Sequence, residues 1–243
     1  MATIGEMFEA ALGCRRSGNL KRAETLCRQI LQADPSHAAA HHLLGLLAAG
    51  TGRQETAVAL LRKAIALNPD DADCHFNLGI VLMNQSLAAE AIEHFRRTLR
   101  CNPHHVQAHN NLGNILKNQG KLAEAAQCYR EALRCEPRSS FAYFNLGIVL
   151  KDQGQLADAA LCFRQAVANN PYDADAHNNL GIVLKGQGQL AEAVLCYGQA
   201  LRLNSLHADA HINLGNALKE QGQLDEAVQC YRQALRINPL LAD

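Results

Sequence analysis

Asparagine recurs along this chain at a fixed interval. Asn77, Asn111, Asn145, Asn179 and Asn213 are evenly spaced, each directly before a leucine. A carboxamide offers two N–H donors and an acceptor oxygen. A row of them can hydrogen-bond the main chain of an extended peptide whatever that peptide's side chains. Asparagine is a mediocre helix former, so five in one phase need a cause beyond propensity. The alternative cause is local, each amide orienting a neighbouring helix end. Lysine keeps the same interval six residues later, at Lys117, Lys151, Lys185 and Lys219. These cations either complement the C-terminal ends of helices or form a basic rail that favours acidic or carboxylate-bearing peptides. The two roles are compatible.

Other positions in the same neighbourhood vary. One phase holds Phe76, Asn110, Phe144, Asn178 and Ile212, a second holds Asn114 and Asn216, and a third holds Asp73, Gln107, Phe141, Asp175 and Asp209. Variation on a fixed frame is where specificity would sit. Phe141 and Phe144 either form an apolar pocket or pack on each other.

Histidine pairs four residues apart, His37/His41, His105/His109 and His207/His211, have the spacing that lets one helix turn hold zinc. They straddle repeat junctions, and no cysteine or carboxylate stands at ligand spacing to complete a site, so they read as packing residues. Cys128, Cys162, Cys196 and Cys230 share one phase, Cys101 and Cys135 another, with no CxxC. Repeat-locked cysteines of this kind behave as small buried hydrophobes. There is no Gly-rich phosphate loop, GxSxG or HExxH. Acid pairs such as Asp70-Asp71 fall at helix starts, where caps are needed. The expectation is a non-enzymatic protein without catalytic residues, metal or cofactor.

Composition narrows the partners. Lys+Arg and Asp+Glu are both 23 among 243 residues, so bulk charge gives no reason to expect nucleic acid or a membrane surface. No run approaches the ~18 apolar residues of a membrane span, and the opening residues lack the pattern of a secretory signal. Nine cysteines, an odd number, fit a reducing compartment, and a cytoplasmic location is expected.

The elements that must position these side chains follow from the repeat. Leu-Gly falls at Leu44-Gly45, Leu78-Gly79, Leu112-Gly113, Leu146-Gly147, Leu180-Gly181 and Leu214-Gly215. All six prolines share one phase, from Pro35 to Pro239, and only Ser205 breaks the series. Alanine repeats from Ala23 to Ala227. Seven repeats result, at 4–37, 38–71, 72–105, 106–139, 140–173, 174–207 and 208–241, read as one domain spanning 1–243. Each reads as two helices. In the sixth, these run from Ala174 to Gly186 and from Leu190 to Leu203. Gly188 makes the turn because φ > 0 is open to glycine. Proline after the second helix cannot continue it. Ala193, Tyr197, Ala200 and Leu201 share one helical face, and small residues such as Gly181 allow close approach. One hairpin has too few large apolar side chains to offset the ordering of its own chain, so neighbours must stack.

The pattern Asn-Leu-Gly-x-x-Leu-x-x-Gln-Gly-x-Leu-x-Glu-Ala-x-x-x-Tyr-x-x-Ala-Leu-x-x-x-Pro resembles the tetratricopeptide repeat (TPR) over residues 4–241. His41, His75, His109, Tyr143, His177 and His211 replace the Trp usual at the fourth position. In this, and in its runs of Asn-Leu-Gly, the chain is similar to the TPR arm of O-linked N-acetylglucosamine transferases and to bacterial TPR proteins. The resemblance implies an all-α, right-handed superhelix with the asparagine edge on its concave surface. It implies a scaffold that binds extended peptide or protein segments along an Asn- and Lys-lined groove. Two alternatives stand beside it, the substrate-recruiting arm of a larger glycosyltransferase and a self-assembling scaffold. The chaperone-type carboxylate clamp of the family needs basic residues at the second and fifth repeat positions. This chain lacks that basic pattern, which argues against that ligand.

Departures from the pattern mark expected weak places. Ala10-Ala11 replaces Leu-Gly in the first repeat, as in a capping repeat. Ser86 replaces the turn glycine, and Gln54 and Ala88 replace a leucine, so the second and third repeats are expected to be least regular. After the last repeat the apolar Val228, Leu235 and Ile237 face solvent, which suggests either a following segment or end-to-end association of chains.

Overall fold

The structure, a computed structural model, describes residues 2–242, with side chains through residue 240. Fourteen α-helices, paired as hairpins, make up the described residues. The first helices are α1 (Ile4–Arg16), α3 (Ala38–Gly50), α5 (Ala72–Asn84), α7 (Val106–Asn118), α9 (Ser140–Asp152), α11 (Ala174–Gly186) and α13 (Ala208–Glu220). The second helices are α2 (Leu20–Ala33), α4 (Gln54–Leu67), α6 (Ala88–Cys101), α8 (Leu122–Cys135), α10 (Leu156–Asn169), α12 (Leu190–Leu203) and α14 (Leu224–Ile237), followed by a 3-10 turn at Pro239–Ala242.

The helices group into two compact units, residues 1–112 and 113–243, with the boundary inside α7. In the first unit each helix from α1 to α6 packs on the next, and α3 also touches α5. In the second unit the same order holds from α8 to α14, and the first helices α9, α11 and α13 meet directly. Stacked first helices therefore build a wall from α9 to α13 in the second unit, and α3 and α5 lie side by side in the first.

The Leu-Gly pair explains how a hairpin closes. Glycine carries no Cβ, and a Cβ placed on Gly181 would lie 2.6 Å from the Tyr197 ring; on Gly79 it would lie 2.7 Å from Phe95. The aromatic ring of the second helix lies flush on the glycine of the first, and Phe95, Tyr129, Phe163 and Tyr197 are fully buried in consequence. Burial of such a ring is worth roughly 1.5–3 kcal/mol, lost if the helices are pushed apart.

Chain punctuation is equally local. Six hairpin turns use a glycine at positive φ, from Gly18 (79°) to Gly222 (82°), while Ser86 takes the same conformation at 61°. The expected irregularity of the second and third repeats is local, at Ser86 and at Gln54, whose buried Oε1 has no hydrogen-bond partner among the described residues. Helices α3 to α6 keep the lengths and offsets of the others, because the stacked apolar faces, not the turn, set the register.

Caps complete the first helices. Asp71 and Asp173 accept N–H bonds from Cys74 and Ala176 at 2.9 and 3.0 Å, as carboxylates at helix starts should. Asp209 makes no such cap; His207 occupies the N-cap of α13. Histidine caps there, and at His37 and His105, by taking the third-following N–H on Nδ1, at 3.1–3.3 Å.

Candidate functional site

The candidate site lies on the wall of first helices, and the recurring asparagines reach it already engaged. Asn77, Asn145 and Asn179 each donate from Nδ2 to the carbonyl four residues back, at 2.7–2.9 Å. Lys117 Nζ donates to Asn145 Oδ1 at 2.9 Å, and Lys151 Nζ to Asn179 Oδ1 at 3.2 Å. The asparagine and lysine series are thus parts of one device in the second unit. A lysine near the end of one first helix holds the asparagine of the next. Asn77 uses its amide a second time, on His42 Nε2 at 2.9 Å. Asn213 donates to Asn178 Oδ1 at 3.1 Å. Asn111 has no hydrogen-bond partner among the described residues.

The remaining lysines differ from each other. Lys185 pairs with Glu220 at 2.8 Å, which cancels its charge locally. Lys219 is exposed. Burial pulls the Lys117 amine below its ordinary range, with Asp152 opposing. Three of the four ammonium groups proposed as a rail for acidic ligands are therefore tied to wall side chains.

Asn114 and Asn216 have another task. Tyr129 donates its hydroxyl to Asn114 Oδ1 at 2.7 Å, and Tyr231 to Asn216 Oδ1 at 2.9 Å. A tyrosine in the hairpin interior needs a partner for its O–H, and these asparagines supply it. Where the second helix carries Phe95 or Phe163, the matching position is Ile80 or Ile148. Ile182 stands at the same position opposite Tyr197, so the bond is made in two hairpins only, and Asn114 and Asn216 keep their amide N–H groups beyond it. Phe144 stacks edge-on against Phe163 at 5.9 Å, while Phe141 is half exposed. The two phenylalanines share no ring contact.

The fourth-position histidines are structural. His41, His75, His109, His177 and His211 point Nε2 at the main-chain oxygen of Pro35, Pro69, Pro103, Pro171 and Ser205, at 2.9–3.1 Å. Each donates Nε2–H to an acceptor in the turn before its helix.

One cluster has a metal-like composition. Ligand atoms of His42, Asp71 and Cys74 lie within 4.8 Å of one another. The hydrogen bonds argue against an ion. Asn77 Nδ2 is held by the Asp73 carbonyl, so it faces His42 Nε2 as a donor. That nitrogen is then an acceptor, and the ring proton sits on Nδ1, aimed at Asp71 Oδ2 at 3.5 Å. The lone pair a metal would need at Nδ1 is taken. Burial also pushes the Cys74 thiol up to about 12, so neither a ligating nor a nucleophilic thiolate forms near neutrality.

An open cavity of about 300 Å³ lies between α11 and α13 in the second unit. Asn178, Asn179 and Asn213 line it together with Ile182 and Ile212, and Asp175, Asp209 and His207 complete its rim. His207 Nδ1 accepts the Ala210 N–H, so its proton is on Nε2 and is donated to Asp175 Oδ1 at 3.1 Å. The imidazole is neutral in that arrangement and leaves the Asp175 charge uncompensated. Asp209 has no ion-pair partner among the described residues. Two carboxylates, amide N–H groups and two isoleucine walls thus converge on one space. The aspartates lay in a phase already marked as variable in the sequence. What the sequence did not reveal was which of the varied positions would leave a hole.

Paired helices of 13 and 14 residues, closed by an aromatic ring on glycine and repeated at one constant spacing, define a TPR-type scaffold. Comparison with known proteins agrees. The family model described as the cilia and flagella-associated protein 70 C-terminal domain, a TPR domain, matches residues 70–241, and a TPR-repeat model matches residues 49–86. The chain belongs to this tetratricopeptide-repeat family. Comparison with curated proteins returned no match. Among solved structures it is similar to PilF of Pseudomonas aeruginosa, at 25% identity over 85% of this chain and 93% of that one, with a TM-score of 0.70. YrrB, described as a TPR protein with an unusual peptide-binding site, matches at 25% identity over 74% of this chain and 92% of its own, TM-score 0.66. The C-terminal part of a TPR protein from Cytophaga hutchinsonii shares the fold at 12% identity, covering 96% and 95%, with a TM-score of 0.78. TPR proteins as a class are protein-interaction scaffolds on a typically non-catalytic fold. No helix of the described residues is long and apolar enough to cross a membrane.

Proposed function

We propose that this chain binds an extended peptide or protein segment along the wall of first helices in its second unit, with a basic side chain of the ligand entering the cavity between α11 and α13. The observation that carries this reading is the cavity itself, with Asp175 and Asp209 at its rim and asparagine amides inside. Asn179 keeps one N–H and Asn213 keeps an N–H and its oxygen beyond the bonds already described, enough to meet main-chain carbonyl and amide groups. The isoleucines suit the aliphatic stem of Lys or Arg, and the carboxylates suit its head. The peptide-binding site named for YrrB supports the general reading.

The lysine series led to an expectation of acidic ligands. In this reading those lysines position asparagines first, and the charge nearest the open space is negative. Self-association through α14 is a second reading, favoured by the exposed Leu224, Val228 and Leu235. Light scattering across a concentration range tests it, and a monomer at all concentrations would set it aside.

Fluorescence anisotropy with Gly/Ser octapeptides carrying one central Arg or one central Glu tests the main reading. The Arg peptide should bind more tightly. Asp175→Asn with Asp209→Asn should weaken it by about two- to thirty-fold, since each partly exposed pair is worth roughly 0.2–1 kcal/mol. The loss should shrink at high salt. Equal binding of the Arg and Glu peptides would sink the assignment.

A further inference from the structure

The cavity has a structural cause that points to one residue. Three N-caps of first helices meet a side chain of the preceding first helix, each at the same offset along the chain. Phe8 lies against His37 with ring centroids 5.2 Å apart, and Phe76 against His105 at 4.4 Å. His42 meets the Asp71 cap in the same way, at 3.5 Å. At the third histidine cap the residue at that offset is Asn178, with no ring to lay over His207. The open space lined by Asn178, Asp175 and His207 lies there. Asn178 is only 5% exposed. Its Oδ1 accepts from Asn213 Nδ2, and its own Nδ2 has no partner among the described residues. That N–H opens onto the cavity, where it can meet a ligand carbonyl.

The same constellation in the first unit makes a natural control. Asp73 stands to His105, at 3.9 Å, as Asp175 stands to His207, at 3.1 Å. Both histidines cap through Nδ1. What differs is the cover, a phenylalanine in one and an asparagine in the other.

We propose that Asn178 is the specificity-determining residue of the binding wall. Its short amide leaves the His207 cap uncovered and so creates the side-chain pocket, whereas Phe76 closes the equivalent site beside Asp73. This rests on the reading of the cavity as a pocket for a basic side chain. The position ahead of each recurring asparagine then works as a cover, and the exchange of Phe for Asn uncovers a subsite without altering the helices. The Asn178 amide adds a donor for a ligand carbonyl, but the space is the main requirement.

The test uses the full chain and N-acetyl-arginine-N-methylamide as probe, with the glutamate analogue as control, followed by shifts of asparagine side-chain amide resonances in NMR. Asn178→Phe should reduce probe binding at least tenfold with helicity and melting unchanged. Its crystal structure should show the new ring over His207, as Phe76 lies over His105. Asn178→Ala should bind within about threefold of the parent, because it keeps the space. Phe76→Asn should add a second binding equivalent, with shifts near Asp73. Asn178→Phe binding like the parent, or Asn178→Ala losing as much as Asn178→Phe, would overturn the proposal while leaving the basic pocket standing. Failure of the parent protein to bind the probe would overturn both.

Discussion

Replacing Gly198 by arginine should stabilise this protein, and the repeat itself supplies the reason. Arginine stands at the matching surface position of other second helices and reaches an acid in the first turn of the next second helix. Arg62 Nη2 lies 2.6 Å from Glu90, and Arg164 Nη2 lies 3.4 Å from Glu192. These pairs tie each second helix to the start of the next. At the sixth repeat the arginine is missing, and Gly198 sits in the middle of α12. Glu226, the corresponding acid in the first turn of α14, has no ion-pair partner among the described residues. A Cβ on Gly198 would meet nothing within 4 Å, so the substitution introduces no clash. Glycine in a helix interior costs about 0.8–1.0 kcal/mol relative to alanine, and arginine is close to alanine. Arg62 and Glu90 are about half exposed, so the new pair is worth only ~0.2–1 kcal/mol. Gly198→Arg should therefore add about 1–2 kcal/mol. Urea unfolding followed by circular dichroism measures it, through a higher midpoint at unchanged slope. Gly198→Ala isolates the helix share, and Gly198→Arg with Glu226→Gln removes the pair. An arginine variant no more stable than the alanine variant would refute the tie between helices. An alanine variant no more stable than the parent would refute the helix argument.

Two further tests concern strain and charge. Ser86 holds a left-handed backbone at φ 61° where the other described hairpin turns use glycine. That conformation costs an L-residue roughly 1–2 kcal/mol, partly offset by the extra freedom glycine gains on unfolding. Ser86→Gly should raise stability by about 0.5–1 kcal/mol in the same urea assay. Glu24 accepts a two-pronged bond from Arg53 at 2.8–2.9 Å and another from Arg28. Bonds from Arg53, then Arg28, hold its carboxyl at about 2, against 4.5 ordinarily. A depressed folded value means that the stabilisation is complete above pH 4.5 and lost as pH falls toward 2. After discounting for solvent, Glu24→Gln should cost about 1–2 kcal/mol at pH 7, with the gap narrowing at pH 3. A pH-independent gap would show that the carboxylate's charge is not what matters.

The helices were legible in the sequence because each boundary carries its own chemistry. Turn glycines, post-helix prolines and the Leu-Gly pair all have the same period, and no helix depends on a distant contact to be recognised. The site was less legible. Asn145 and Asn179 recur with the lysines that bind them, yet a shared period cannot tell a row of ligand donors from a row of brackets. Only the Lys117–Asn145 and Lys151–Asn179 bonds distinguish the two. The histidine caps were missed for a related reason. His207 was paired with His211 along the sequence, whereas its bonds run to the Ala210 N–H and to Asp175 on the preceding first helix.

A physical reason lies behind this division. A stacked repeat must make the same interface again and again, so whatever holds the interface recurs with the repeat. Recurrence is therefore a mark of construction first, and the asparagine–lysine links, the glycine–aromatic contacts and the histidine–turn bonds all carry it. A ligand with a particular sequence needs particular positions to differ. The candidate pocket follows that rule. Its frame, Asn179 and Asn213, belongs to the recurring set, while Asn178 and Ile212 are drawn from a position that is phenylalanine in three other repeats of the lattice, at Phe8, Phe76 and Phe144. Exchanging residues within that varied position should redirect binding at little cost in stability. Exchanging Asn145, Asn179 or Asn213 should cost stability as well, because each leaves a lysine or a buried amide without its partner.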